Sequence, residues 1–315
     1  MFALRGVAVS SAVFVMVYSI LSLAVCFTWR RVYHYLQPHT SRRVANVLFA
    51  VRLFPFITAA VITAAFTVPS FLLLEPRAIE EPVGAVPLAL GLCGAVLALF
   101  GIGNAIASML RASRTISIWS ANSEPALVQA DVPVLRIQRP TPAMTAAGIL
   151  APRLLVSTSA ERSLSEREMQ IALRHEIAHV RRRDNLRKLL FRFVAFPGMR
   201  SLEVAWLEAT EMAADDAAVS NAVEALDLAA ALIKLSRLSP NDSVDLTAAL
   251  IHSSASLMNA RIKRLITWSD KRTALPQALS IRYGLGAACI TLVIFSVVYT
   301  HLLFELHTAT EWLMR

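Results

Sequence analysis

The chain has 315 residues, of which 56% are hydrophobic, and a net charge of +9. This apolar share exceeds the about 45–50% of ordinary soluble proteins, and the composition excludes a purely water-soluble globule. The basic excess comes without a helix-turn-helix, zinc-finger or RNA-binding signature, so we expect no nucleic-acid partner.

Four stretches are apolar enough to cross a bilayer, which takes about 20 residues per helix. They cover residues 6–29, 53–74, 87–110 and 284–304. The first could be a cleaved signal peptide, but its apolar core is too long for one and Arg30 and Arg31 follow at once, which favours a retained anchor. We predict transmembrane helices 1–3 within residues 1–110, an inserted water-facing domain over 111–280, and a fourth helix with a short tail over 281–315.

The arginines predict the orientation, because short loops rich in Arg and Lys stay in the cytoplasm. The loop after the first span carries five arginines, whereas the next loop has three glutamates and one arginine. The amino terminus is therefore expected outside and residues 111–280 in the cytoplasm. This segment contains 22 basic and 17 acidic residues, an excess that suits contact with anionic lipid headgroups.

The cysteines limit the metal chemistry of the water-facing domain. Cys26, Cys93 and Cys289 all fall within predicted spans. We therefore expect neither a disulfide framework nor a thiolate metal site in the domain, so a metal there must use His and carboxylate ligands.

The domain is predicted to be mostly helical with one small sheet. Residues 132–137 and 153–157 have the pattern of short strands. Ser165 followed by Glu168 matches a capping box and should begin a helix. Further helices are expected over residues 184–194, 201–223, 225–238 and 244–267.

The helix that follows Ser165 carries a His-Glu-x-x-His motif at His175, Glu176 and His179. Residues four apart on a helix share a face, so both imidazoles can bind one metal ion. The glutamate between them is placed to take a proton from water activated by the metal. The alternative is a pair of histidines on a helix surface, which the rest of the chain disfavours.

A catalytic zinc usually has a third protein ligand, and several residues qualify. His252 stands alone in the sequence. Glu208, Glu211 and Asp215 share one face of the predicted helix over 201–223, although a solvated acidic stripe is an ordinary feature of helices. Residue patterns alone leave this choice open.

A family resemblance narrows the choice of the third metal ligand. The run from Glu211 to Asp215 resembles the Glu-x-x-Ala-Asp element of membrane gluzincins and begins 32 residues after His179. Three spans, a zincin domain and a fourth span resemble the BlaR/MecR-type peptidases, the β-lactam-sensor metallopeptidase family, over essentially the whole chain. Those sensors carry an extracellular penicillin-binding domain after the fourth span, whereas this chain ends at Arg315, so we expect no direct β-lactam sensing.

The resemblance implies roles for the motif residues. His175, His179 and Glu211 would bind one Zn²⁺ ion, Glu176 would be the general base, and Asp215 would support a ligand imidazole. The group that stabilises the oxyanion stays open, with His252, Arg261 and the metal alone as candidates.

The resemblance also implies a substrate-binding strand. The run over 148–157 resembles the edge strand that pairs with extended substrate in these families. The tentative substrate contacts within it are Leu154, Leu155, Val156 and Ser157.

We therefore predict an integral membrane zinc endopeptidase of the bacterial inner membrane that cleaves a protein at the cytoplasmic face, in regulatory or signal-transducing proteolysis. One alternative is an HtpX/Ste-like quality-control protease, which shares the zinc motifs but differs in its spans. Another is a non-catalytic zincin-fold signal transducer, against which the intact Glu176 argues. The expected partners are the lipid bilayer, a repressor or membrane protein as substrate, and either a second copy of the chain or a separate sensor.

Overall fold

The computed structural model describes residues 2–36, 39–75, 84–121, 123–126, 132–138, 143–238, 248–249, 255–268, 301–306 and 308–310. The chain forms two compact units. The first comprises Met1–Trp29, Leu53–Phe100 and Ala274–Arg315, and the second comprises Arg30–Arg52 and Gly101–Thr273. The second unit therefore includes residues 30–52, although the sequence pattern places them between the first two predicted transmembrane helices.

Three long helices among the described residues are apolar enough to cross a membrane. They are α1 (Phe2–Leu36), α2 (Ser41–Ile62), which continues through a π-helical turn (Thr63–Thr67) into α3 (Val68–Leu74), and α4 (Ala85–Ser120). Each contains one of the first three predicted spans, so long apolar helices at those positions are confirmed. The predicted fourth span lies outside the described residues except for its last turn, residues 301–304, which is helical.

The second unit contains a small mixed sheet. Its described strands are β1 (Glu124–Pro125), β2 (Val134–Ile137), β3 (Met144–Ala147), β4 (Arg153–Ser157) and β5 (Ala248–Ala249), in the order β1-β2-β4-β3-β5. Strands β2 and β4 are parallel, and the other pairs are antiparallel. Strand β4 consequently lies inside the sheet, with β2 on one side and β3 on the other.

Helices make up most of the second unit, as predicted. They are α5 (Thr158–Ser163), α6 (Glu166–Arg181), α7 (Asp184–Phe193), α8 (Arg200–Ala218), α9 (Ala222–Leu238) and α10 (Ala255–Ile266). Its main hydrophobic core joins the sheet to α6 and α9 and includes Leu154, Ile171, Leu228 and Leu232.

The predicted capping box begins α6. The Ser165 hydroxyl accepts a hydrogen bond from the Glu168 backbone N–H, and the Glu168 carboxylate accepts one from the Ser165 N–H. These two bonds satisfy donors that a helix start otherwise leaves without partners. The capping box therefore fixes the start of the helix that carries the motif.

Two predicted helix boundaries are wrong. The helix expected over 201–223 ends at Ala218, because Val219 has an extended backbone, and α9 begins only at Ala222. The helix expected over 244–267 is described as helical only from Ala255, while Ala248 and Ala249 form strand β5. Residues 244–247 and 250–254 lie outside the described part of the chain.

Candidate metal centre

The His-Glu-x-x-His motif lies on the buried side of α6. His175 and Glu176 are fully buried, and His179 is 3% exposed. Burying a polar side chain is costly unless it has a polar partner. The alternative of two histidines on a helix surface is therefore excluded.

Glu211 of α8 brings a carboxylate to the two imidazoles. The Nε2 atoms of His175 and His179 are 3.1 Å apart; that of His175 is 3.6 Å from Glu211 Oε2, and that of His179 is 3.6 Å from Glu211 Oε1. Donor atoms about 2.0–2.1 Å from a tetrahedral zinc ion lie roughly 3.3 Å from one another. The three side chains thus match the ligand spacing of one such ion.

A second carboxylate contacts the far side of each imidazole. Asp215 Oδ1 lies 3.0 Å from His175 Nδ1, and Asp184 Oδ2 lies 2.8 Å from His179 Nδ1. With Nδ1–H facing a carboxylate, each Nε2 atom presents a lone pair. Two lone pairs that face each other at this distance repel unless a cation lies between them, so the donor set fits a metal ion.

A left-handed turn brings Asp184 to His179. Helix α6 ends at Arg181, and Arg183 has a φ of 54° before α7 begins at Asp184. A non-glycine residue in this conformation costs on the order of 1 kcal/mol. Asp184 was not among the site residues predicted from the sequence.

Arg261 of α10 links two of the carboxylates. Its Nε and Nη2 atoms donate to the two Asp215 oxygens at 2.8 and 2.6 Å, and Nη1 lies 2.9 Å from Glu211 Oε2. The side chain is fully buried. Because all three nitrogen atoms face carboxylates, Arg261 is engaged in holding the centre and is poorly placed to stabilise an oxyanion.

The electrostatics of the centre favour a positive charge between the rings. Burial raises the pKa of Glu211, but Arg261 and the two histidines outweigh burial and lower that pKa to about 2. Burial lowers the pKa of His175, but Asp215 and Glu211 outweigh it and raise that pKa to about 9. The surrounding carboxylates thus stabilise a cation at the imidazoles, either a proton or a metal ion.

Glu176 is held by one of its two oxygens. Oε2 accepts a hydrogen bond of 2.7 Å from the Ala146 N–H of β3, while Oε1 is buried without a hydrogen-bond partner among the described residues. Burial raises the pKa of Glu176, and the charges on the neighbouring histidines offset only part of this effect. An oriented carboxylate with one open oxygen and a raised pKa has the properties of a general base.

Asn185 of α7 fixes the strand that holds Glu176. Its Nδ2 donates to the carbonyl oxygens of Ala146 and Gly148, both at 3.1 Å. Gly148 has a φ of 96°, a conformation that favours glycine, where the chain leaves β3. Asn185 was not predicted as a site residue, and only its position next to Asp184 could have served as a signal.

The predicted substrate-contacting residues lie in β4, inside the sheet and not at its edge. The prediction that they form an edge strand is wrong, because β4 is paired with β2 and β3 and its backbone groups are used on both sides. The four residues that this prediction named are Leu154, Leu155, Val156 and Ser157 of β4. The strand next to Glu176 is β3 instead. The candidate His252 lies outside the described residues.

Comparison with known families agrees with this centre. The model of the BlaR1 peptidase M56 family matches residues 20–265, more than three quarters of the chain, including every residue of this centre. The chain belongs to the BlaR1 peptidase M56 family. Membership confirms the resemblance found in the sequence and identifies the chain as a membrane-associated metallopeptidase. No curated protein matches the chain.

Proposed function

We propose that this M56 peptidase is an integral membrane zinc endopeptidase that cleaves a protein at the cytoplasmic face of a bacterial inner membrane, in regulatory or signal-transducing proteolysis. The observation that carries the proposal is the buried group of His175, His179 and Glu211, whose ligand atoms lie within 4.8 Å of one another, next to Glu176. The distribution of arginines between the loops supports the orientation.

The ligand set supports zinc as the metal. Two imidazoles and one glutamate are a usual ligand set for a catalytic zinc ion that keeps one position open. When bound, the ion supplies Lewis acidity towards the scissile carbonyl and the attacking water. Asp184 and Asp215 keep the two rings oriented for binding it.

Glu176 acts as the general base in this proposal. Its Oε1 atom takes the proton of the attacking water and passes it to the nitrogen of the leaving amine. The Ala146 N–H keeps Oε2 in place, so the carboxylate does not have to reorient between the two transfers. General acid–base catalysis of this kind contributes about 10²–10⁴-fold to the rate.

The substrate is proposed to bind as an extended strand along β3. Strand β5 pairs antiparallel with β3 at Thr145 and at Ala146, the residue whose N–H holds Glu176. A substrate strand would take the place of the two-residue strand β5 on that side of β3, because β4 occupies the other side. Backbone pairing there would bring a peptide bond to the centre with little dependence on side chains.

The test is Glu176→Gln in the full chain purified in detergent. We expect cleavage of an unfolded protein to fall at least about 10²-fold, while zinc content stays at the wild-type level. Glu166→Gln, an exposed glutamate on the same helix, is the matched control and should cleave normally. A chelator should abolish wild-type cleavage, and added zinc should restore it. Cleavage that persists in Glu176→Gln or in chelator would refute the mechanism.

A further inference from the structure

Helix α7 connects the metal centre to α2 and α4 within the second unit. Its first two residues serve the centre, because Asp184 contacts His179 and Asn185 holds the strand that orients Glu176. Its other end meets Arg52, which precedes the apolar part of α2, and Gly101 and Asn104, which lie within the apolar part of α4. The contacts at that end are polar and specific.

Arg52 of α2 is the first of these contacts. Its guanidinium donates from Nη2 to the Val194 carbonyl at 2.5 Å and from Nε to Glu203 of α8 at 3.0 Å. It also lies 5.5 Å from the ring centroid of Phe191 on α7. Arg52 is only 1% exposed, so a buried cation sits at the negative end of the α7 dipole.

Helix α4 supplies the second contact. Asn104 donates from Nδ2 to the Arg192 carbonyl at 3.2 Å. One turn earlier, a Cβ atom at Gly101 would overlap the Phe193 carbonyl oxygen, so the backbones of α4 and α7 approach as closely as a glycine allows. The last carbonyls of α7, which have no donor within the helix, are thus met by α2 and α4.

A short helix transmits displacement along its axis. The ten residues of α7 make a rod about 15 Å long, with its C-terminal end held by Arg52 and Asn104. A shift there moves Asp184 and Asn185 together. Both His179 and Glu176 depend on that end of the rod.

We propose that Arg52 and Asn104 are positioning residues, which act through α7 to set the geometry of His179 and Glu176. The inference rests on the proposed function. It places the control of catalytic geometry at the start of the apolar part of α2 and within the apolar part of α4.

The test compares Asn104→Asp and Arg52→Lys with matched controls in the full chain. Aspartate has the shape of asparagine but cannot donate to the Arg192 carbonyl, and lysine cannot reproduce the paired contacts of Arg52. At exposed positions, Ser113→Asp introduces an aspartate on α4 and Arg43→Lys makes the arginine-to-lysine change on α2. The measurements are kcat and KM for a peptide substrate and the rate of zinc release to a chelator.

We expect kcat to fall about tenfold and zinc release to accelerate about tenfold in both variants, near the lower limit for residues that orient a ligand. KM should stay within about twofold, because the pairing with β4 keeps β3 in the sheet even when Asn185 shifts. The two controls should behave as wild type. A variant that only lowers the melting temperature, with wild-type kcat and zinc release, would show a merely structural role and overturn the inference.

A double-mutant cycle tests whether Asn104 acts on His179 through α7 and Asp184. Asn104→Asp combined with Asp184→Asn should accelerate zinc release less than the product of the two single effects, because both act on the same imidazole. Multiplicative effects would overturn the inference. A wild-type chain that binds no zinc at His175, His179 and Glu211 and cleaves nothing would instead refute the proposed function.

Discussion

The two imidazoles of the metal centre are supported in different ways. His175 contacts Asp215 of α8, which pairs with the buried Arg261 of α10. His179 contacts Asp184, only five residues further along the chain, at the start of α7. The first support joins helices distant in sequence through buried charges, whereas the second depends on a local turn. The orientation of His175 therefore depends on a buried ion pair that also stabilises the fold, whereas the orientation of His179 depends on the position of the single helix α7.

The largest expected effect is a loss of folding stability caused by a change in Asp215, which contacts His175. Asp215→Asn keeps the shape of the side chain but leaves Arg261 buried with only Glu211 as an anionic partner among the contacts described. Breaking a buried ion pair in this way costs about 3–5 kcal/mol in the free energy of unfolding. Denaturant unfolding of the full chain in detergent with a chelator measures this loss without a metal contribution. Equal losses for Asp215→Asn and Asp184→Asn would remove the distinction between the two sides.

A smaller effect is expected on the His179 side. Asp184→Asn should lower zinc affinity by about 10–100-fold, because the ring loses its orienting carboxylate. In chelator it should cost only about 1 kcal/mol of stability, through the loss of an acidic residue in the first turn of α7. Competition with a chromophoric chelator measures the affinity. A variant with wild-type affinity would show that Asp184 does not orient the ligand.

The smallest expected effect on stability comes from a change in Glu168, which bears on His175 and His179 equally. Glu168 begins α6, which carries both histidines, and its carboxylate lies 2.7 and 2.8 Å from Lys234 Nζ. Burial raises the pKa of Glu168, but the hydrogen bonds from Lys234 and Ser165 outweigh burial and hold the pKa below its ordinary value of 4.5. A lowered pKa means that this carboxylate stabilises the fold above pH 4.5 and loses that contribution as the pH falls through the lowered pKa.

Glu168→Gln should therefore cost about 1 kcal/mol at neutral pH, and the difference from wild type should disappear in acid. Unfolding curves at several pH values measure it, with the exposed Glu166→Gln as control. Zinc affinity should change little, because both rings keep their carboxylates. A difference that persists unchanged in acid would show that the carboxylate charge is not responsible.

Local chemistry accounts for the parts that the sequence predicted. The capping box at Ser165 and Glu168 and the four-residue spacing of His175 and His179 are properties of one helix, so they can be read from adjacent residues. The long apolar helices follow from composition in the same way. Glu211 could be chosen over its acidic neighbours only through the family resemblance.

The parts that the sequence did not predict depend on distant contacts. Strand β3 contains two alanines and has a weak strand signal, so the order of the sheet and the central position of β4 were missed. Asp184 reaches His179 only because Arg183 adopts a left-handed conformation that few arginines adopt. Arg261 is 46 residues from Asp215 in the sequence, and no local pattern links the two.

The contact at Gly101 has a practical consequence. Because a single methyl group there would overlap the Phe193 carbonyl oxygen, Gly101→Ala offers a genetic means of weakening the enzyme without touching any residue of its chemistry. Such a partial-loss allele, unlike a dead enzyme, would leave cells with reduced rather than absent proteolysis. Suppressor mutations selected in that background would map the neighbours that adjust when α7 is displaced.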